Sequence, residues 1–410
     1  MNAPARGFDV AAIRAQFPIL SRQVHGKPLI YLDSGASAQK PRQVIDVMTH
    51  AMEHSYANVH RGLHTLANET TDAYERTRGL VASLINASNE NEIVYTKGAT
   101  EAINLVASSI GLTLEAGDEI IVSELEHHAN ILPWHFLRER KGVVLRFVGV
   151  TDEGGLDLDS YERLLSPRTR VVALTHMSNV TGAVSDVARI VRGARSVGAM
   201  VLLDGCQSIV HSQVDVQALD VDFYVFSSHK LFGPTGFGVL YGKAERLAAM
   251  APYQGGGEMI GVVSMDRITY ADPPHRFEAG TPPILEAIGF GAALDWLATV
   301  DREAAFAHEH AVYQRAREGL RDMNGLRVLG ETPDKGAILT FTVEGAHAHD
   351  IAQILDRYGV AVRAGTHCAE PLMRRFGVTS SVRASFALYN TLDEADAFVE
   401  ALHKASSFFA

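Results

Sequence analysis

The sequence predicts an α/β fold, a mostly parallel sheet covered by helices on both faces, with a smaller α+β region after it. Three observations carry this. From about residue 30 to 245, short β-branched runs alternate with helical stretches. Those runs are apolar throughout rather than alternating, as strands buried on both faces are. After about residue 290 the alternation stops, and a long helical stretch is followed by separate strands and a last helix.

In chain order, "MNAPARGFDVAAIRAQFPIL" has Arg6, Asp9 and Arg14 interrupting its apolar residues. It is expected to form a short amphipathic helix over Val10–Gln16, and to be neither a signal peptide nor a membrane span. "EIVYT", "DEIIVSE", "VVLRFVGV", "RVVALTHMSN", "MVLLDG" and "DFYVFSS" read as strands, and Glu101–Ile110 has helical periodicity. Gly233, Pro234, Gly236 and Gly238 mark a turn before a further strand through Val239–Tyr241. "GFGAALDWLATVDREAAFAHEHAVYQRAREGLRDM" reads as a long helical region, "GAILTFTV" and "GVAVRAG" as strands, and "TLDEADAFVEALHKASSFF" as a closing helix. The expected division is a large domain over 1–290 and a small one over 291–410, with residues 1–28 packing on the small one.

The chain has 410 residues, 47% hydrophobic and 21% charged, which suits a soluble enzyme with a large core. A net charge of −11 argues against nucleic-acid and anionic-membrane partners, while leaving room for local anion pockets. Two cysteines, Cys206 and Cys368, with no CxxC pair, support neither a disulfide framework nor a structural metal site, and point to the reducing cytoplasm. No Walker A motif appears, and no GxGxxG opens a helix after a strand.

Lys230, in "DFYVFSSHKLFGPTGFGVLYG", sits just past a strand end in an apolar stretch. Most lysines point to water from loops. An enclosed one needs an anion, a depressed pKa or a covalent partner. Asp204 ends the strand in "VLLDGCQS", where a carboxylate serves as a cap or pairs with a protonated heteroaromatic nitrogen. Gly98, Ala99 and Thr100 stand at a strand-to-helix junction, which suits a phosphate on free N–H groups or an ordinary cap by Thr100. His127 and His128 follow another strand, where His is either satisfied structure or a ring that stacks on a cofactor. Arg363, Cys368 and Arg383 come from the second region. Two arginines around a thiol suit capture of a substrate carboxylate and a thiolate, against surface ion pairs and a small buried hydrophobe. Taken together, these residues compose one site with Lys230 as covalent anchor.

With "SSHKLFGPTGFGVLYG", "DGCQS", "EHHANILPW", "THMSNVTG", "RFEAGTPP" and "RAGTHCAEPLM" in view, the chain resembles the SufS-type (class II, NifS-like) cysteine desulfurases of the class V aminotransferase superfamily. The resemblance runs from about residue 20 to the C-terminus. It implies the fold of fold-type I pyridoxal-phosphate enzymes, with a seven-stranded sheet, and a homodimer. By it, Lys230 holds pyridoxal 5′-phosphate as a Schiff base, Asp204 pairs with the pyridinium, and Gln207 bonds the ring hydroxyl. His127 stacks on the ring, while Ala99, Thr100, Ser227 and His229 hold the phosphate, joined by Thr281 from the neighbouring subunit. Asn179, Arg363 and Arg383 hold L-cysteine, and Cys368 is the nucleophile. The implied reaction turns cysteine into alanine and leaves a persulfide on Cys368, which a SufE- or SufU-like acceptor draws off toward iron–sulfur cluster assembly. "PYQGGGEMI" resembles the hook near the dimer interface of this class. Many members have His where this chain has Thr366, so no acid–base role can be carried over to that position. Competing readings are a selenocysteine lyase, an aminotransferase or epimerase on the same fold, and a non-catalytic scaffold. Cys368 disfavours the transaminase and epimerase, and the intact site disfavours the scaffold.

Overall fold

The computed structural model describes residues 8–409. Its largest sheet contains β1 (Ile93–Thr96), β2 (Glu119–Ser123), β3 (Val144–Val148), β4 (Thr169–Thr175), β5 (Met200–Asp204), β6 (Phe223–Ser227) and β7 (Gly238–Gly242). The spatial order is β1-β7-β6-β5-β4-β2-β3. β7 runs antiparallel to both its neighbours. The other pairs are parallel.

Side chains explain why the strands read as unbroken apolar runs. Ile121, Val172, Leu174, Val201, Leu203, Tyr224 and Phe226 enter one core cluster. The residues between them, Ile120, Val122, Val171, Ala173, Leu202, Phe223 and Val225, enter the cluster on the other face. Successive side chains on a strand point to opposite faces, so a strand must be apolar at every position when both faces are covered. Helices Arg42–His54, Thr65–Leu84, Val187–Ser196 and Ile284–Leu297 cover the first face. Helices Ala99–Gly111 and Leu132–Lys141 cover the second.

The long helical region after residue 284 is two helices. Asp301 breaks it, its carboxylate accepting from Ala304 N at 3.0 Å as the N-cap of Arg302–Gly319. The preceding helix, Ile284–Leu297, is buried almost all round and packs on Arg42–His54 and Thr65–Leu84. Residues 290 and 291 both lie inside it.

A second, four-stranded sheet is antiparallel, in the order Leu326–Val328, Ile338–Val343, Ser381–Ser385, Arg363–Gly365. It carries its own core, with Leu339, Phe341, Val382 and Phe398. "GVAVRAG" divides: Val360–Ala361 pairs in parallel with Ile30–Tyr31, and only Arg363–Gly365 joins the sheet. The N-terminal helix spans Val10–Arg14, shorter than expected, with Asp9 as its cap. Arg14 reaches Tyr389 O at 3.0 Å and Glu394 at 2.6 Å, tying this segment to the C-terminal helix Leu392–Ser406. Arg6 lies outside the described residues. No described helix is long and apolar enough to cross a membrane. A hairpin absent from the sequence reading, Ile260–Val263 with Ile268–Tyr270, projects with Val263 60% and Met265 100% exposed.

Candidate active site

Register brings the site together. Thr175 of β4 stands opposite Asp204 of β5, and Asp204 opposite Val225 of β6, so these parallel strands end at one edge. Such an edge is where open α/β sheets bind ligands. A cavity of about 380 Å³ lies there, lined by Ala99, Thr100, His127, Asn179, Asp204, Gln207, Ser227, His229, Lys230, Arg363, Cys368 and Arg383, with Gly35, Ala36, Met177, Cys206 and His367 among its other walls. Thr281, assigned above to a neighbouring subunit, is exposed and is not among the lining residues.

On the strand-end side the groups are held firmly. Asp204 is buried, and its Oδ1 accepts from Cys206 N at 2.9 Å. Gln207 Nε2 donates to Gly35 O at 2.8 Å. Lys230 closes a short turn after β6, and its neighbour's carbonyl, His229 O, accepts from Ala38 N and Lys40 Nζ, both at 3.0 Å. Burial pulls the Lys40 ammonium down to about 8. The same influence, helped by the charges of Lys230 and Lys40, pulls His229 down to about 4.

Helix Ala99–Gly111 starts at Gly98 with no side-chain cap, so Thr100 lies in its first turn and is not its N-cap. Ala99 N donates to Ser227 Oγ at 2.9 Å. This turn leans directly on β7: a Cβ on Gly238 would stand 2.4 Å from Gly98 Cα, so only glycine fits there.

His127 hangs from a turn fixed by a buried acid. Glu126 is fully buried and accepts from Ser123 Oγ at 2.5 Å, Asn130 Nδ2 at 2.7 Å and Thr175 N at 3.0 Å, which ties β2 to β4 beneath the turn. Burial pushes its carboxyl up to about 8. His127 Nδ1 accepts from Ala129 N at 3.1 Å, which orients the ring. Burial, then the charge of Lys230, holds His127 near 4, so the ring is neutral.

On the opposite side stand groups from the second sheet. Arg383 is 3% exposed; its Nη1 donates to Asn179 O at 2.8 Å, and its Nη2 lies 3.7 Å from Asp33. Burial lowers Arg383 to about 10, partly offset by Asp33. Arg363 is more exposed and already engages Asp33 at 2.6 Å. Cys368 is exposed on a loop after Arg363–Gly365. Cys206 is buried beside Asp204, and burial raises its thiol far above the usual range, so it is packing material and no thiolate.

Three buried polar atoms here lack a protein partner: His229 Nδ1, His367 Nδ1 and Arg383 Nε. Unpartnered buried groups are costly, and all three belong to residues that line this polar cavity. Gly35 and Ala36, which line it, and Asp33, which pairs with its two arginines, were not legible in the sequence. They follow a strand of only two residues, Ile30–Tyr31, and reach the site through pairing with Val360–Ala361. One group able to hold a cation, His60, Glu75 and His275, has ligand atoms within 4.8 Å of one another, and none of the three lines the cavity. His60 spends Nε2 on Glu75 at 2.8 Å.

Residues 30–398 match the model of the aminotransferase class-V family. A cysteine desulfurase of Dickeya dadantii is 50% identical over 406 residues, 98% of each chain. The crystal structure of the Escherichia coli cysteine desulfurase CsdA superposes with a TM-score of 0.92 at 42% identity, covering 99% of this chain and 100% of that one. A cysteine desulfurase of Thermococcus onnurineus gives a TM-score of 0.92 at 36% identity, over 100% and 99% of the two chains. With the sheet order, the strand-end cavity and full-length similarity in agreement, the chain belongs to the class-V aminotransferase family, among its cysteine desulfurases.

Proposed function

We infer that this chain is a pyridoxal 5′-phosphate-dependent cysteine desulfurase that converts L-cysteine to L-alanine and takes the sulfur as a persulfide on Cys368. The observation that carries this reading is the convergence of Lys230, Asp204, Arg383 and Cys368, from different parts of the fold, on one cavity.

The residues fit the cofactor. Lys230 would anchor it covalently, Asp204 would face its ring nitrogen, Gln207 its ring hydroxyl and His127 its ring face. The uncapped start of helix Ala99–Gly111, with Thr100, Ser227 and His229, would receive its phosphate. Thr281 of a second copy would complete that grip. Once bound, the cofactor supplies an electron sink for the charge left on the substrate Cα.

The remaining work falls to the chain. Arg383 and Asn179 hold the cysteine carboxylate, and Arg363 adds positive charge at the rim. Lys230 Nζ takes the proton from Cα. Cys368 Sγ, as thiolate, bonds to the substrate sulfur while the substrate's Cβ–S bond breaks; Cβ gains a proton, and Cα regains the one that Lys230 Nζ took, giving alanine. His127, neutral and with Nδ1 accepting from Ala129 N, would have Nε2–H left to give a proton within the cavity.

Further parts of the reading are the homodimer, a SufE- or SufU-like acceptor, a place in iron–sulfur cluster assembly, and the cytoplasm. The exposed apolar Val262, Val263, Met265 and Ile268 support a second copy seated on the hairpin beside Pro252–Ile260. The division into a large domain over 1–290 and a small one over 291–410 is also part of the reading, and the break between helices nearest to it is at 298–301. The test is alanine formation from cysteine, with and without candidate acceptors, beside an arm with selenocysteine. Alanine from cysteine that rises with an acceptor supports the reading. Turnover of selenocysteine alone would reassign the enzyme as a selenocysteine lyase.

A further inference from the structure

The loop that carries Cys368 is held by its backbone while its thiol stays exposed. His367 and Cys368 both adopt positive φ, 53° and 55°, a region where residues with a Cβ remain only when their surroundings impose it. Asn179 Nδ2 donates to His367 O at 2.9 Å. His128 N donates to Cys368 O at 2.7 Å. The His128 ring then returns to the same loop, its Nε2 accepting from Glu370 N at 3.1 Å. His128 therefore grips the chain on both sides of Ala369, which is fully buried. Accepting that bond requires an unprotonated Nε2, so the ring carries its proton on Nδ1.

The two partners come from different sheets. His128 follows β2 of the large sheet in the turn that also orients His127, and Cys368 follows the edge strand Arg363–Gly365 of the small sheet. The loop is thus referenced to the cofactor-facing turn rather than to its own sheet alone.

We propose that His128 is a positioning residue for the nucleophile, its ring latching the Cys368–Glu370 segment so that the thiol is presented toward the cavity. This rests on Cys368 as the nucleophile. Without the ring acceptor, the Glu370 N–H loses its partner, the left-handed pair relaxes, and the thiol samples positions out of reach of the substrate sulfur.

The test uses the holoenzyme as wild type, His128→Ala, and His128→Gln, whose side-chain oxygen can replace Nε2 as acceptor. Amide exchange across 366–370 is followed by mass spectrometry, cysteine affinity from the cofactor spectrum, and persulfide formation in a single turnover. In His128→Ala, exchange is expected about tenfold faster and persulfide formation about tenfold slower, with cysteine affinity within about twofold. His128→Gln is expected to restore both. Exchange and persulfide rates unchanged in His128→Ala would overturn the proposal, as would a Gln variant as impaired as the Ala variant. Should His128→Ala not fold, an unprotected Glu370 amide in the wild type would overturn it equally. If the wild type makes no alanine from cysteine, the desulfurase reading fails, and the exchange data still judge the latch.

Discussion

Asp204, Gln207 and Ser227 are buried at or just beyond the ends of parallel strands, whereas Cys368 across the same cavity is exposed on a loop with two consecutive residues at positive φ. The first group is placed by sheet register and close packing, so its geometry is set before any ligand arrives. The second is placed by a few hydrogen bonds from Asn179 and His128. The difference follows the two tasks. On the proposed function, a cofactor must be held still, while a thiol that is to receive sulfur and hand it on must stay accessible, at the cost of about 1–3 kcal/mol for each strained residue.

Breaking the rigid side should cost most. Lys230→Ala is expected to lower alanine formation about 10³-fold or more and to abolish the cofactor's covalent attachment, checked by borohydride reduction and peptide mapping. Asp204→Asn keeps the shape and removes the charge, and is expected to cost about 10²-fold in kcat with a changed cofactor spectrum. An Asn variant with wild-type kcat would deny Asp204 its electrostatic role.

The opposite wall can be sharpened with Arg383→Lys, which keeps the charge and loses the planar fork. KM for cysteine should rise about tenfold, with a smaller change in kcat, and cofactor binding should be unaffected. An effect on cofactor affinity instead would place Arg383 on the wrong side of the site.

The smallest effect is on stability. Burial, with like charge from Lys230 and from Arg383 respectively, holds His127 near 4 and His367 near 3, against an ordinary 6.5. As pH falls below 6.5 the unfolded chain therefore takes up protons that the folded chain refuses, so stability declines between pH 6.5 and about 4. Each such group contributes a slope of up to about 1.4 kcal/mol per pH unit. Urea denaturation of the cofactor-free protein from pH 7 to 5 should show the decline, and His367→Gln should lessen it by one group's share, since His127, His176 and His229 keep theirs.

How legible each side was in the sequence follows from the same contrast. Strands buried on both faces write themselves as continuous apolar runs, and a polar residue at the end of each run, Asp204 or Ser227, stands out against them. Contacts that depend on three-dimensional closure leave no such trace. Asp33 reaches Arg363 and Arg383 from 330 and 350 residues away. The break at Asp301 left only a faint trace, the weak helix formers Thr299 and Val300 followed by an N-cap residue, within an otherwise helix-favouring stretch. Glu126 looked like any charged residue in "SELEHH", and only the fold shows that its carboxyl is fully buried under His127. His128 was visible as the second of a pair, but its hold on Cys368 spans the two sheets.

The most direct measurement is to give the holoenzyme one equivalent of sulfur-labelled cysteine, stop after a single turnover, and locate the label by peptide mass spectrometry. One added sulfur is expected on the peptide containing Cys368, none on that containing Cys206, and one alanine released. Alanine released with Cys368 unmodified, or with the label on Cys206, would contradict the assignment of Cys368 as nucleophile.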